Sequence, residues 1–222
     1  MNANRQPRVK ICCIGSIEEA RLAVRHGASA IGLVSAMPSG PGPIPEELIA
    51  EIAATVPSGI ATVLLTCRQT AEEVVEQQQR TKVNTIQLVD RFPVEGYRLL
   101  RKVLPDVRIM QVTHIKDHHS VEEAADVAPH VDALLLDSGN PSLAIKQLGG
   151  TGRVHDWGLS RQIREKVEIP IFLAGGLNPE NVGEAIRTVE PYGVDVCSGV
   201  RTNEKLDEDK LRRFFHAVQS TK

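Results

Sequence analysis

The sequence has no block of one charge sign. Its 222 residues carry 26 Lys and Arg against 28 Asp and Glu, a formal net charge of -2. A nucleic-acid binder draws its affinity from clustered cations, so no nucleic-acid partner is expected. No apolar run approaches the roughly 20 residues that a helix needs to cross a bilayer, so no membrane partner is expected either. The first residues, Met1-Asn2-Ala3-Asn4-Arg5-Gln6-Pro7, are polar. They lack the apolar segment of a secretory signal, and a cytoplasmic location is expected. Cysteine is scarce, with only four. In that compartment they are expected to be free thiols, which excludes a disulfide framework. Neither they nor His114 stand at a recognised metal-ligand spacing, so no metal is expected. There is also no linker. The Pro/Gly-rich stretch at 37–45 reads as a loop, and one domain over residues 1–222 is expected.

What is present is an alternation of short apolar runs with helical periods, sustained along the chain. Strands are expected at 9–14, 30–34, 60–65, 85–89, 107–112, 133–137, 169–172 and 194–197. Helices are expected between and after them: from Ser16 to Gly27, then 45–56, 70–82, 94–104, 120–128, 159–167, 182–189 and 208–218. Ser16 suits an N-cap and Gly27 a helix end, and Ser120 with Glu123 has the form of a capping box. Short apolar strands separated by helices imply a parallel sheet covered on both faces. Eight such units in a chain of this length predict an α/β fold, a single-domain (β/α)8 TIM barrel, for which about 250 residues is typical. The rival, an open doubly wound sheet, calls for a Gly-rich turn after its first strand. Here the Gly-Gly pair follows the seventh.

That pair sits in Leu173-Ala174-Gly175-Gly176-Leu177-Asn178-Pro179-Glu180-Asn181-Val182. Glycine lets the backbone approach a ligand closely, and a helix start offers N–H groups to an anion. Asn178 suits an N-cap and Pro179 a first helical residue. A phosphate is the expected guest, since barrels commonly bind phosphate after strands seven and eight. The alternative is a plain tight turn.

Barrel active sites gather at the C-terminal ends of the strands. Asp137 ends an apolar strand, where partial burial raises a carboxyl pKa and suits it to donate a proton; the alternative is an acid that caps the next loop. Cys12 shares a strand face with Lys10 and could be a base or nucleophile if its pKa falls; the alternative is a small buried hydrophobe. That alternative is the reading for Cys13, Cys67 and Cys197. His114 could titrate near neutral pH.

Over nearly its whole length the chain resembles the phosphoribosylanthranilate isomerase family. The resemblance rests on Lys10-Ile11-Cys12, Gln87-Leu88, Leu134-Leu135-Leu136-Asp137-Ser138, Gly149-Gly150-Thr151-Gly152, Asp156-Trp157, the segment from Ala174 to Val182, and Gly193-Val194-Asp195-Val196-Cys197-Ser198-Gly199-Val200. It implies an Amadori rearrangement of an N-linked phosphoribosyl amine, with Asp137 as general acid and Cys12 as general base. It implies a small phosphorylated substrate and no cofactor. The phosphate would rest on backbone near Gly150, Gly152, Gly175, Gly176, Ser198 and Gly199, with Lys10, Gln87 and Arg201 as further substrate contacts. The chain departs from the family pattern at four places. Cys13 replaces a glycine, and residues 38–45 lack the arginine expected to grip the anthranilate carboxylate. Val89-Asp90 stands for His-Gly. Cys197 and Arg201 replace a serine and a glutamate. Arg201 is therefore read as a partial substitute for the lost grip, a phosphate contact, or a surface residue paired with Glu204. The other functions in view are an isomerase or lyase acting on a different phosphosugar, and a non-catalytic barrel that binds a phosphorylated metabolite.

Overall fold

The structure is a computed structural model, and it describes residues 6–139 and 154–221. Eight parallel strands close into a barrel in chain order. They are β1 (Arg8–Ile11), β2 (Ala30–Val34), β3 (Ala61–Thr66), β4 (Thr85–Leu88), β5 (Arg108–His114), β6 (Ala133–Asp137), β7 (Ile171–Leu173) and β8 (Gly193–Val196). Closure comes from β1 pairing with β8, with Lys10 opposite Asp195 and Ile11 opposite Val196. The helices are α1 (Ile17–Arg25), α2 (Glu46–Thr55), α3 (Ala71–Thr81), α4 (Val94–Val103), α5 (His119–Val127), α6 (Trp157–Lys166), α7 (Val182–Val189) and α8 (Glu208–Ser220). A two-stranded ribbon, β9 (Arg201–Thr202) with β10 (Lys205–Leu206), precedes α8. The (β/α)8 barrel expected from the sequence is therefore the fold. Among the described residues no helix is long and apolar enough to cross a membrane.

Side chains alternate across a strand, and here the alternation separates two cores. Ile11, Ile31, Leu33, Leu64, Ile86, Leu88, Leu134, Leu136, Leu173 and Val194 point outward and pack with the apolar faces of the helices. Cys12, Val34, Val63, Leu65, Val89, Met110, Val112, Leu135 and Phe172 pack together inside the barrel. Both faces are covered, so β2 and β6 read as apolar runs, while Lys10, Gln87, Gln111 and Asp195 are polar residues buried within the sheet.

Several helix starts follow their caps. Ser16 Oγ accepts from Glu19 N at 3.2 Å, and Thr70 Oγ1 accepts from Glu73 N at 3.4 Å. Two caps fall elsewhere than expected. Ser120 lies inside α5, where its Oγ accepts from Lys116 N and donates to His114 O, so the Ser120–Glu123 capping box does not form. Helix α7 begins at Val182 rather than at Pro179. Asn178 Oδ1 accepts from the N–H groups of Glu180 and Asn181, and Asn181 Oδ1 accepts from Asn178 N. A closed turn of side chain and backbone thus precedes the helix, and it consumes two N–H groups that a phosphate was expected to use.

Candidate active site

A cavity opens at the C-terminal end of the barrel. It is lined by Cys12, Gln87, Asp137, Gly175, Gly176 and Ser198, together with Cys13, Cys197, Asp195 and the loop residues Met37, Ser39, Gly40 and Pro41. Six residues picked from the sequence therefore meet on one surface, although they come from five different strand ends. Gly150 and Gly152 lie outside the described residues. Gly199 is behind the lining: a Cβ there would stand 2.0 Å from Leu177 O, so its glycine is imposed by the close approach of the turns after β7 and β8. Gly175 and Gly176 have φ of +83° and +65°, the left-handed region that glycine enters without penalty. A Cβ on Gly175 would meet Asp137 Oδ1 at 3.2 Å and His155 Nδ1 at 3.0 Å. The Gly-Gly turn is thus packed directly against the acid at the end of β6.

Asp137 is buried, and Ser138 N donates to its Oδ1 at 2.7 Å. Burial raises its pKa; the Ser138 N–H and the nearby His114 oppose this without reversing it. A carboxyl in this position holds its proton to a higher pH than an exposed aspartate.

Cys12 lies beyond the last residue of β1, above a buried ion pair. Lys10 Nζ donates to Asp195 Oδ1 at 2.9 Å, with the lysine side chain wholly enclosed. A Cβ added to Gly32 on β2 would be 2.8 Å from Cys12 Sγ and 3.1 Å from Lys10 Nζ, so thiol and ammonium flank the same small space. The thiol pKa of Cys12 is lowered, first by a hydrogen bond from the Cys13 thiol; burial opposes this, and the charge on Lys10 supports it. Cys13 moves well upward, because it is hydrogen-bonded to both Cys12 and Cys197 and because it is buried. Of the adjacent thiols, Cys12 is the one poised to be a thiolate. Lys10 therefore sits beneath the cavity as a charge under the thiol and is not part of the lining.

The remaining sequence candidates are placed as follows. Gln87 is buried on the lining, and its Oε1 has no hydrogen-bond partner among the described residues. His114 is buried with Nε2 at 3.0 Å from Val89 O, off the cavity. Cys67 donates to Ala36 O at 3.5 Å, away from the other thiols. Among the described residues no group of three or more His, Cys, Asp or Glu is arranged to hold a metal ion.

Arg201, expected as a substrate contact, is placed off the cavity lining. Its guanidinium turns away from the cavity onto Glu19, with Nη1 to Oε1 and Nη2 to Oε2 both at 2.9 Å. It also donates to Cys13 O at 2.5 Å and to Glu204 O at 2.7 Å. Its side chain is 9% exposed. The predicted link to Glu204 is real but runs through the backbone carbonyl. The dominant partner, Glu19 on α1, is far away in sequence and carries no local signal. Sequence reasoning also missed Asp195 as the counter-charge of Lys10, and His155, which lies against Gly175 with burial lowering its pKa to about 4.

A family model described as N-(5'-phosphoribosyl)anthranilate (PRA) isomerase matches residues 9–217. The chain belongs to the phosphoribosylanthranilate isomerase family. An N-(5'-phosphoribosyl)anthranilate isomerase of Methanosarcina acetivorans is 36% identical over 96% of this chain and 94% of its own. The second such isomerase of Methanosarcina mazei is 39% identical, with the same coverage. The crystal structure of phosphoribosylanthranilate isomerase from Thermotoga maritima superimposes with a TM-score of 0.82 at 30% identity, covering 96% of this chain and 98% of that one. Another crystal structure in the family, with a TM-score of 0.79 at 28% identity over 96% of this chain and 98% of that one, holds reduced 1-(o-carboxyphenylamino)-1-deoxyribulose 5-phosphate. Family membership fits the cavity: the acid and the thiol line it together with the Gly-Gly turn. Among the described residues, however, no Lys, Arg or His lines it.

Proposed function

We propose that this protein is a cytoplasmic isomerase that converts N-(5-phosphoribosyl)anthranilate to its 1-deoxyribulose 5-phosphate isomer, a step of tryptophan biosynthesis. Asp137 delivers its proton to the ribose ring oxygen as the ring opens to an iminium. The iminium acidifies the C2′ proton, and Cys12, as thiolate, removes it. The resulting enolamine tautomerises to the ketone. The phosphate rests on the turns at Gly175-Gly176 and Ser198-Gly199. The Gln87 oxygen, without a partner among the described residues, accepts from a substrate hydroxyl. Lys10 acts on Cys12 from below, and Arg201 holds the backbone behind it.

One observation carries the reading. A carboxyl pushed up by burial and a thiol pushed down by a hydrogen bond and a cation line the same cavity. Pairs whose environments drive their pKa values apart mark the acid and the base. A phosphate-binding barrel without chemistry needs neither. The lining without a described cation favours one second reading: the same acid–base pair acting on a phosphosugar that lacks a carboxylate. Genetic complementation separates the two. Expression in a strain lacking this isomerase should restore growth without tryptophan, and Cys12→Ala should abolish that rescue. Failure of the unaltered protein to rescue, despite soluble expression, would favour the second reading.

A further inference from the structure

The two cysteines at which this chain departs from the family pattern meet in space. Cys13 follows β1 and Cys197 follows β8, 184 positions apart, yet their Sγ atoms are 2.6 Å apart. Both are free thiols and both line the cavity beside Cys12. Cys13 is buried, held at φ +60°, while Cys197 is half-buried and the more accessible to a small reagent. A disulfide needs an S–S distance near 2.05 Å, so bonding would call for a shift of about half an ångström. Cys67 is bonded to Ala36 O in another part of the mouth and has no such partner.

We propose that Cys13 and Cys197 form a reversible disulfide that shuts the active site off, with a low-molecular-weight disulfide as the oxidant. Cys197, having lost its proton to water, attacks the reagent RSSR and expels RS⁻, giving a mixed disulfide. Cys13 then loses its proton, attacks Cys197 Sγ and expels the second RS⁻. Two protein thiols are oxidised to one disulfide, and RSSR is reduced to two RSH. The consequence for Cys12 is direct. The reduced Cys13 thiol donates the hydrogen bond that most favours the Cys12 thiolate, and a disulfide has no proton to donate. The Cys13 Sγ also lies 3.6 Å from Pro41 O, an alternative acceptor for the same proton, and oxidation removes that contact with the loop that lines the cavity. The bond would further tie the turn before Ser198, on the proposed phosphate side, to the end of β1. The loss of activity rests on the isomerase reading above; the disulfide itself does not.

The test uses the full chain, reduced, freed of reductant and then equilibrated with graded ratios of glutathione disulfide to glutathione. Free thiols counted after denaturation should fall from the four in the sequence to two, with the intact mass lower by two hydrogen atoms. Peptide mapping should join Cys13 to Cys197. Isomerase turnover should fall roughly tenfold or more, within the range that loss of acid–base catalysis produces, and return with dithiothreitol. Cys197→Ser and Cys13→Gly should each lose the response to oxidant, and Cys67→Ser should keep it. A thiol count that stays at four, a link between Cys12 and Cys13, or unchanged turnover in fully cross-linked protein would each overturn the proposal. A protein inactive even when reduced would contradict the isomerase reading instead, and thiol counting and mapping would still decide the disulfide.

Discussion

Lys10 and Asp195 face each other across the seam where β1 meets β8, 2.9 Å apart, with Cys12 directly above them. An ion pair enclosed this deeply adds little net stability, but removing one partner leaves a buried charge and costs about 3–5 kcal/mol. Its value here lies in the field at the thiol. Lys10→Gln should raise the Cys12 pKa, since the cation that favours the thiolate is gone. The ascending limb of the pH–turnover profile, which reports the base, should move to higher pH. At neutral pH turnover should drop about tenfold per unit of displacement. The double variant Lys10→Gln with Asp195→Asn should regain most of the stability lost in the single one. An ascending limb that does not move in Lys10→Gln would detach Lys10 from the base.

Asp137→Asn retains the shape of the side chain and its bond from Ser138 N but has no proton to give. Turnover should fall roughly 10²–10⁴-fold, the usual worth of general acid–base catalysis. Burial raises the Asp137 pKa. In the unaltered enzyme activity should therefore decline as pH rises through that raised value, and the descending limb should vanish in the Asn variant. Inhibition by inorganic phosphate should stay within about twofold, because the amides proposed to hold it are untouched. Full turnover in Asp137→Asn would remove this residue from the mechanism.

Gly199→Ala places a methyl 2.0 Å from Leu177 O; that oxygen is backbone, and a Cβ has no rotamer by which to escape it. The turns after β7 and β8 must part to admit it. Overpacking of this kind costs about 1–3 kcal/mol, and each kcal/mol lowers the melting temperature by roughly 2–4 °C at this chain length. Phosphate affinity should fall as well, since the two turns proposed to share the anion separate. Calorimetry with and without phosphate checks both effects, and an unshifted melting temperature would show that the turns yield easily.

The barrel was legible because its strands are covered on both faces and its helices are regular. Leu134-Leu135-Leu136-Asp137 states both the strand and the acid at its end. Cys12 and the Gly175-Gly176 turn were legible for the same reason, as special residues at strand ends. The Lys10–Asp195 pair was legible in principle. Each is a lone charge between apolar neighbours, and closing the barrel puts the first strand beside the eighth, in register. What could not be read was anything that depends on the distance between turns. Gly199 read as a phosphate glycine, and the added reason for glycine, the close approach of Leu177 O and Asn178, was not readable. Asn178 read as the cap of α7, yet it closes a separate turn with Asn181. The contact of Cys13 with Cys197 is invisible to any local pattern, because 184 residues separate them.

Arg201 and Glu19 form the clamp that holds the end of β1 in place. The guanidinium bonds both carboxylate oxygens of Glu19 and the carbonyl of Cys13, and Glu19 also accepts from Gly15 N and Leu206 N. The α1 start, the β9–β10 ribbon and the backbone beside Cys12 therefore share one charged group. Arg201→Ala should lower stability by about 2–4 kcal/mol, as expected for a largely enclosed pair with several charged hydrogen bonds. It should weaken substrate binding little, since Arg201 does not reach the cavity; turnover should suffer more, because the Cys12–Cys13 backbone loses its anchor. Burial pushes the Glu19 pKa up, but the bonds from Arg201, Gly15 and Leu206 outweigh it, and the net shift is below the ordinary 4.5. A carboxyl lowered on folding contributes stability that is present above its unfolded pKa and lost as pH falls through the folded one. The stability gap between the unaltered protein and Glu19→Gln should thus be widest near neutral pH and should shrink as pH falls below the ordinary glutamate range and through the lowered folded value. Denaturant titrations across that window measure it. A gap that stays constant with pH would mean that the carboxylate charge contributes nothing to the clamp, and an Arg201→Ala variant with a raised KM and unchanged kcat would return Arg201 to the substrate site.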